Sequence, residues 1–353
     1  LHYMRVPDHA AIFETVNACR GLKKPWARGL LNAVLRKVAQ ESPDERSFGL
    51  PAWWLDKLQR DYPEQAAALA SATLGRAPMA VRVNQSRIAP ADYLSELASS
   101  GIEASAGWLP EQLILREPTS VRELPGHAQG LVSVQDSGAQ LAARLVMENV
   151  TGGPILDACA APGGKLFHLA ELAPAATIVG VEISDQRLQH LQAEALRLGH
   201  ERVRLCLGDA TETGWLTTAG LPSRYQAILL DAPCSGSGTL RRHPDIKLLR
   251  KPIDLAGFVA LQQRLLANLW GLLAPGGTLT YCTCSVFREE NDEAVGAFLA
   301  AHPEATTLPV TLPTGQATVH GWQLMTLPPA SDGPDLTVDG FYFARLTRRE
   351  KAR

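Results

Sequence analysis

From Asp8 to Gln40 the apolar positions recur at helical spacing, at Ile12 and Val16 and then at Leu30, Leu31, Val34, Leu35 and Val38. Pro25 interrupts this run, so the pattern predicts two helices and an all-α segment over residues 1–48. Two helices are too few to close a core, so part of this first domain is expected to be missing ahead of Leu1. Residues 49–137 are mixed. Helices are predicted at 52–61, 64–74 and 91–99, and strands at MAVRVN (79–84), LILRE (113–117) and LVSVQD (131–136), which together predict a small α+β domain. The Trp53-Trp54 pair is expected to serve core and interface packing. From residue 138 to 353 the alternation becomes regular. Apolar runs at 155–158, 177–182, 203–207, 227–231 and 278–284 are separated by helical stretches, including 185–198 and 254–273. Short, nearly continuous apolar runs are what strands covered on both faces require, so this third part reads as α/β, a doubly wound and mostly parallel sheet.

A chain of 353 residues exceeds what one hydrophobic core usually organises, in keeping with this division. No apolar run approaches a membrane span, and the first residues lack the plan of a secretory signal, so a soluble cytoplasmic protein is expected, without membrane association and as a monomer. Six cysteines without framework spacing read as reduced thiols. A net charge of -2 excludes a global polyanion-binding surface and leaves two local basic clusters. Residues 1–48 hold eight lysines and arginines against five acids. Residues 231–251 hold Arg241, Arg242, Lys247, Arg250 and Lys251 against Asp231 and Asp245. The second cluster follows directly on a candidate reactive thiol.

That thiol is Cys234, in LLDAPCSGSG (229–238), and a second is Cys284, in LTYCTCS (279–285). Each ends an apolar, β-prone run, where open α/β sheets place ligand-binding and catalytic groups. The first strand of the alternating region leads into LDACAAPGGK (156–165) and then a helix. Gly163 and Gly164 let the backbone approach a ligand, and the helix N-terminus offers N–H groups to an anion. The turn is neither G-x-G-x-x-G nor a P-loop, so nicotinamide and nucleoside-triphosphate readings lose their usual support. Glu182, ending the second strand, can accept from both ribose hydroxyls of a nucleoside, and Asp209, after the third, offers an acceptor near an adenine amino group.

These runs, with RRHPDIK, REEN and DGFYFARL behind them, resemble the successive motifs of the RNA cytosine-C5 methyltransferases that use S-adenosylmethionine. Upstream, VQDSGAQL (134–141) resembles that family's motif ahead of the cofactor loop, and residues 7–37 resemble the end of a NusB-like helical domain. The likeness covers essentially the whole chain and points to the branch acting on bacterial 16S ribosomal RNA. It implies a Rossmann-like methyltransferase domain, preceded by a small α+β domain and a partial NusB-like domain. Cys159, Ala160, Ala161, Pro162, Gly163, Gly164 and Lys165 would hold the methionine part of S-adenosylmethionine, with Glu182 on its ribose and Asp209 facing adenine. Asp231 would lie where cofactor and cytosine meet. Cys284 would be the nucleophile that adds to C6, and Cys234 the thiol that assists product release. Arg241, Arg242, His243 and Lys247 would touch RNA phosphates, together with Arg250 and Lys251. Removing the charges of Arg241 and Arg242 is then expected to weaken RNA binding in a salt-dependent way.

Cys282 offers an additional thiol two residues before Cys284 and is expected to pack as a small hydrophobe, and Cys19 and Cys206 as buried thiols. A zinc site built from Cys159, Cys234, Cys282 and Cys284 lacks the usual C-x₂₋₄-C spacing, so no metal is expected. Three further readings stay open: a transfer-RNA target for the same chemistry, a non-catalytic RNA-binding assembly factor on the same fold, and an amino-methyltransferase. The last would carry Asn/Asp-Pro-Pro-aromatic in place of Asp231-Ala232-Pro233-Cys234.

Overall fold

The structure is a computed structural model describing residues 6–41, 48–148, 150, 152–327 and 338–348. The N-terminal segment forms α1 (Asp8–Gly21) and α2 (Arg28–Gln40) on either side of a 3₁₀ turn at Pro25. The basic cluster of residues 1–48 lies partly outside the described residues, at Arg5, Asp44, Glu45 and Arg46.

The next stretch divides into two bodies. Helices α3 (Ala52–Asp61) and α4 (Ala66–Ala72) point Trp54, Leu58 and Leu69 toward Leu240, Val286, Phe287 and Met325, far along the chain. Trp54 is fully buried, 4.8 Å from the Trp53 ring and 5.0 Å from Phe287, and the Tyr62 hydroxyl donates to the Val286 carbonyl at 2.7 Å. These helices thus brace the loops of the large sheet. A four-stranded antiparallel sheet follows, ordered β2-β3-β1-β4, from β1 (Met79–Val83), β2 (Ala104–Ala106), β3 (Gln112–Leu115) and β4 (Val132–Val134). Helix α5 (Pro90–Ser99) closes its core through Tyr93 and Leu97. Strand β2 has no counterpart in the sequence reading, because Ala-Ser-Ala carries no apolar alternation.

The large sheet is built on five parallel strands: β5 (Ile155–Asp157), β6 (Ile178–Glu182), β7 (Arg204–Leu207), β8 (Tyr225–Asp231) and β9 (Leu273–Thr283). Their spatial order is β7-β6-β5-β8-β9, so the chain reverses direction across the sheet between β5 and β8. Four antiparallel strands extend the β9 edge, namely β10 (Ala305–Leu308), β11 (Gln316–Ala317), β12 (Trp322–Leu324) and β13 (Phe341–Arg348). The parallel character expected from the alternating region therefore holds for its five strands and ends at β13. Two apolar layers cover the faces. Helices α6 (Ser137–Met147), α7 (Gly164–Leu172) and α8 (Asp185–Leu198) pack on one, and α9 (Gly214–Ala219), α11 (Pro252–Leu272) and α12 (Asp292–Ala301) on the other. Local chemistry sets the helix ends. The Ser184 hydroxyl accepts from the Arg187 N–H at the start of α8, and Gly199 ends it in the left-handed conformation at φ 76°. Among the described residues, no helix is long and apolar enough to cross a membrane.

The small sheet is joined to the large one by buried ion pairs. Arg82 of β1 holds both carboxylate oxygens of Glu171 on α7 at 2.8 Å, and Glu111 accepts from Arg144 of α6 at 2.9 Å. Glu111 also lies 2.8 Å from Nε2 of the fully buried His168. Against burial, His168 and Arg144 pull the Glu111 carboxyl down to about 2. Burial brings His168 down to about 4 despite Glu111, so at neutral pH a neutral imidazole donates to an ionised Glu111. In the unfolded chain His168 takes its proton near pH 6.5, so the stability tied to the neutral form is full above pH 6.5 and drains away as pH falls toward 4. His200, brought down to about 4 mainly by burial, acts over the same range. His168→Gln is expected to flatten this limb by roughly 3 kcal/mol. Urea midpoints measured from pH 4 to 7 check this, and identical slopes for the two proteins would contradict it.

Candidate active site

Strands β5 and β8 are neighbours in register, with Asp157 opposite Leu229, and their carboxyl ends open at the point where the strand order reverses. The loop 159–165 leaves β5 here and Asp231 ends β8, so residues far apart in sequence face one another. Lys165 Nζ lies 2.6 Å from Asp231 Oδ2. Burial alone would lower the Lys165 ammonium. The facing Asp231 carboxylate, with the Cys282 and Cys284 sulfurs, more than reverses this and keeps it charged. Beneath the pair, Asp157 is 1% exposed and its Oδ1 has no hydrogen-bond partner. Burial and the nearby Asp231 charge push its carboxyl up to about 7.

Strand β9 runs beside β8 with Cys282 opposite Asp231, and the Cys282 thiol donates to Asp231 Oδ1 at 3.4 Å. Cys282 is fully buried, and burial and Asp231 hold its thiol well above the ordinary range. It therefore does more than fill space as a small hydrophobe, since it helps aim the Asp231 carboxylate. Cys284 follows the last residue of the strand, and its sulfur lies 3.5 Å from that of Cys234. The hydrogen bond to Cys284, then burial, raises Cys234 far above the ordinary thiol range. Cys159 is raised as well, by burial and the carboxylates of Asp157 and Asp231.

The loops bearing the two thiols are tied together by a buried carboxylate absent from the sequence-based site. Glu290, fully buried, accepts from the Ser235 N–H at 2.7 Å, the Ser235 hydroxyl at 2.5 Å and the Ser285 hydroxyl at 2.6 Å. Gln262 of α11 donates to the Pro233 carbonyl at 3.0 Å, and the Tyr281 hydroxyl to the Glu290 carbonyl at 2.6 Å. Glu290 stands in the REEN run, whose only sequence signal was its place behind Cys284. Gly238 and Gly340 pack so closely that a Cβ on Gly238 would lie 2.0 Å from the Gly340 carbonyl oxygen, so the DGFYFARL run closes the site from the antiparallel side.

The remaining strand ends complete the crevice. Gly163 caps α7 with φ +107°, a conformation suited to glycine, and an added Cβ there would meet the Phe167 ring at 2.6 Å. Glu182 Oε1 accepts from the Ser184 N–H at 2.8 Å and pairs with Arg187 at 2.7 Å. Asp209 Oδ1 accepts from the Thr211 N–H and hydroxyl, each at 2.8 Å. Among the described residues, no three His, Cys, Asp or Glu side chains gather as metal ligands.

The basic cluster after Cys234 is built differently from its sequence reading. Arg241 is paired with Asp339 at 2.6 Å, with its side chain 4% exposed. Arg242 also pairs with Asp339 and reaches Asp136 at 2.7 Å and the Pro78 carbonyl at 3.0 Å. Lys247, on the short helix α10 (Ile246–Leu249), is buried. The two arginines are engaged in internal ion pairs and Lys247 is buried, which corrects the expectation that the three form an open surface for phosphates. An Arg–Asp pair removed from water holds its partner in place, so loss of Arg241 or Arg242 acts on folding ahead of RNA affinity. Arg250 donates to the Ser235 carbonyl at 3.1 Å, and His243 and Lys251 are exposed.

A crevice at the strand-order reversal, floored by strand-end carboxylates and a glycine-capped helix, defines a Rossmann-like methyltransferase domain. A family profile described as 16S rRNA methyltransferase RsmB/F matches residues 144–347, one described as the RsmF/B-like ferredoxin-like domain matches 50–122, and one for the NusB family matches 1–40. The ribosomal RNA small subunit methyltransferase B of Pseudomonas syringae pv. tomato is 42% identical over 99% of this chain and 79% of its own length. That of Pseudomonas putida is 42% identical over 100% of this chain and 81% of its own. The crystal structure of a methyltransferase homologue from Pyrococcus horikoshii superposes with a TM-score of 0.72 at 26% identity, covering 88% of this chain and all of that one. The chain belongs to the 16S rRNA methyltransferase RsmB/F family.

Proposed function

We propose that the protein methylates C5 of a cytosine in small-subunit ribosomal RNA, in the cytoplasm, with S-adenosylmethionine as methyl donor. The observation that carries this is the pair of thiols, Cys234 and Cys284, 3.5 Å apart at adjacent strand ends beside the Lys165–Asp231 pair. The names of the relatives supply the RNA, and the thiols supply the position on the base.

The crevice fits the donor. Backbone N–H groups of the loop 159–165 and the α7 N-terminus suit the methionine carboxylate, the unpartnered buried Asp157 Oδ1 suits its ammonium, and Glu182 and Asp209 suit ribose and adenine. When bound, S-adenosylmethionine offers a sulfonium methyl group. Cytosine C5 is a poor nucleophile, so the Cys284 thiolate adds to C6 and turns the ring into an enamine whose C5 takes that methyl. The Cys234 sulfur lies within hydrogen-bond reach of the Cys284 sulfur, and the Lys165 ammonium adds positive charge nearby, which favours formation of the attacking thiolate. Each oxygen of Asp231 keeps an acceptor site beyond its bond to Lys165 or Cys282, enough to take the exocyclic amine of cytosine and discriminate against uracil. Once Cys284 is bound to C6, the Cys234 thiol gives its proton to water, and the resulting thiolate takes the C5 proton, directly or through a water, as the Cys284–C6 bond breaks and Cys284 leaves as a thiolate. Such chemistry needs the target base swung out of its stack.

Nuclease digestion of small-subunit ribosomal RNA after incubation with the protein and methyl-labelled S-adenosylmethionine should release label as 5-methylcytidine. Label in an amino-methylated nucleoside would overturn the thiol mechanism. Label accepted only by transfer RNA would overturn the substrate, and RNA binding with no label in any RNA would favour an assembly factor.

A further inference from the structure

Helix α7 carries three polar or backbone groups on one face, at Gly164, His168 and Glu171, spaced i, i+4 and i+7. This face turns away from the sheet that bears the thiols and toward the small antiparallel domain. Arg82 of β1, 1% exposed, reaches both ends of it. Its Nε and Nη2 hold the Glu171 carboxylate at 2.8 Å each, and its Nη1 donates to the Gly164 carbonyl at 2.6 Å and to Gln135 Oε1. Glu111, ahead of β3, takes the middle position through His168. Gln135 packs on the same turn, where a Cβ on Gly164 would lie 3.4 Å from its Nε2.

A guanidinium is planar and rigid, so pairing two of its nitrogens with Glu171 fixes the direction of the third. That third nitrogen fixes the Gly164 carbonyl, in the first turn of α7. The next residue is Lys165, whose ammonium meets Asp231. Arg82, Gly164, Lys165 and Asp231 thus form one chain of direct contacts from the small domain to the reaction crevice.

We infer that the small antiparallel domain is a built-in part of the cofactor site, with Arg82 as the positioning residue that sets the loop 159–165. The inference rests on the S-adenosylmethionine reading above. A lysine at position 82 keeps the charge but has no fork, and so cannot hold Glu171 bidentately while directing a bond at Gly164.

Calorimetric titration of S-adenosylhomocysteine into the full chain, without RNA, tests this with wild type, Arg82→Lys, Arg82→Met, Glu171→Gln and Glu111→Gln, each also followed by thermal melting. Affinity should fall about tenfold in Arg82→Lys and further in Arg82→Met. Glu111→Gln, which loosens the same domain contact without touching the Gly164 carbonyl, should melt earlier yet bind within about threefold of wild type. In turnover assays the Arg82 variants should raise the KM for S-adenosylmethionine and leave the KM for RNA unchanged. Where an Arg82 variant does not fold, Glu171→Gln replaces it, because it frees the guanidinium from its fixed plane and should weaken binding alike. A folded Arg82→Lys or Glu171→Gln protein that binds as tightly as wild type overturns the inference alone. Wild-type protein that binds no S-adenosylhomocysteine overturns the cofactor reading and the inference with it.

Discussion

Incubated with S-adenosylmethionine and unmodified small-subunit ribosomal RNA, Cys234→Ala protein should run on a denaturing gel as a retarded protein–RNA band. Cys284→Ala and the double mutant should give none. The asymmetry follows from the roles proposed for the two thiols. Both sulfurs lie at the same strand-end opening, 3.5 Å apart, and in the proposed scheme Cys284 bonds to C6 while Cys234 removes the C5 proton. Without Cys284 no bond to C6 forms, and turnover should fall about 10⁴-fold or more. Without Cys234 the bond forms and the methyl is transferred, but the C5 proton has no route out, so the adduct persists. An adduct in Cys284→Ala that is missing in Cys234→Ala would reverse the two roles. Absence of any band, with RNA binding intact, would defeat the covalent mechanism.

Lys165→Met should lower kcat by roughly 10²- to 10³-fold, the range seen when a preorganised charge is removed from a water-poor site. The Lys165 side chain is 13% exposed and that of Asp231 27%, so removing the ammonium leaves a half-buried carboxylate unpaired. That carboxylate faces the reacting base and adds negative charge where the thiolate must form. Breaking such a pair should also cost about 3 kcal/mol of stability, and the double variant Lys165→Met/Asp231→Asn should regain part of that cost without regaining turnover. Single-turnover methylation and urea melts read the two effects separately. If Lys165→Met raised only the KM for S-adenosylmethionine, with kcat unchanged, the lysine would be a cofactor contact and no part of the thiol chemistry.

The class of fold and the strand ends that carry the candidate residues were legible in the chain because strands covered on both faces must be apolar throughout, and open α/β sheets place their sites where those runs stop. Cys234, Cys284, Asp231, Glu182 and Asp209 could each be placed at a strand end by that rule, and the glycine-rich turn before Lys165 by its backbone freedom. Strand β2 and the antiparallel extension escaped it, the first for want of apolar side chains and the second because pairing direction depends on where a distant strand returns. Charge was the least legible property. Arg241, Arg242 and Lys247 read as a surface for phosphate, yet Asp339 and Asp136, about a hundred residues away in either direction, fold back to meet the two arginines. The sequence alone determined which local segments form strands and helices and which side chains can do chemistry, since both follow from covalent structure and short-range periodicity. Only the tertiary structure decided which charges are spent on one another, which carboxylate clamps the thiol loops and which domain steadies α7, because burial and ion pairing are set by residues that meet through space.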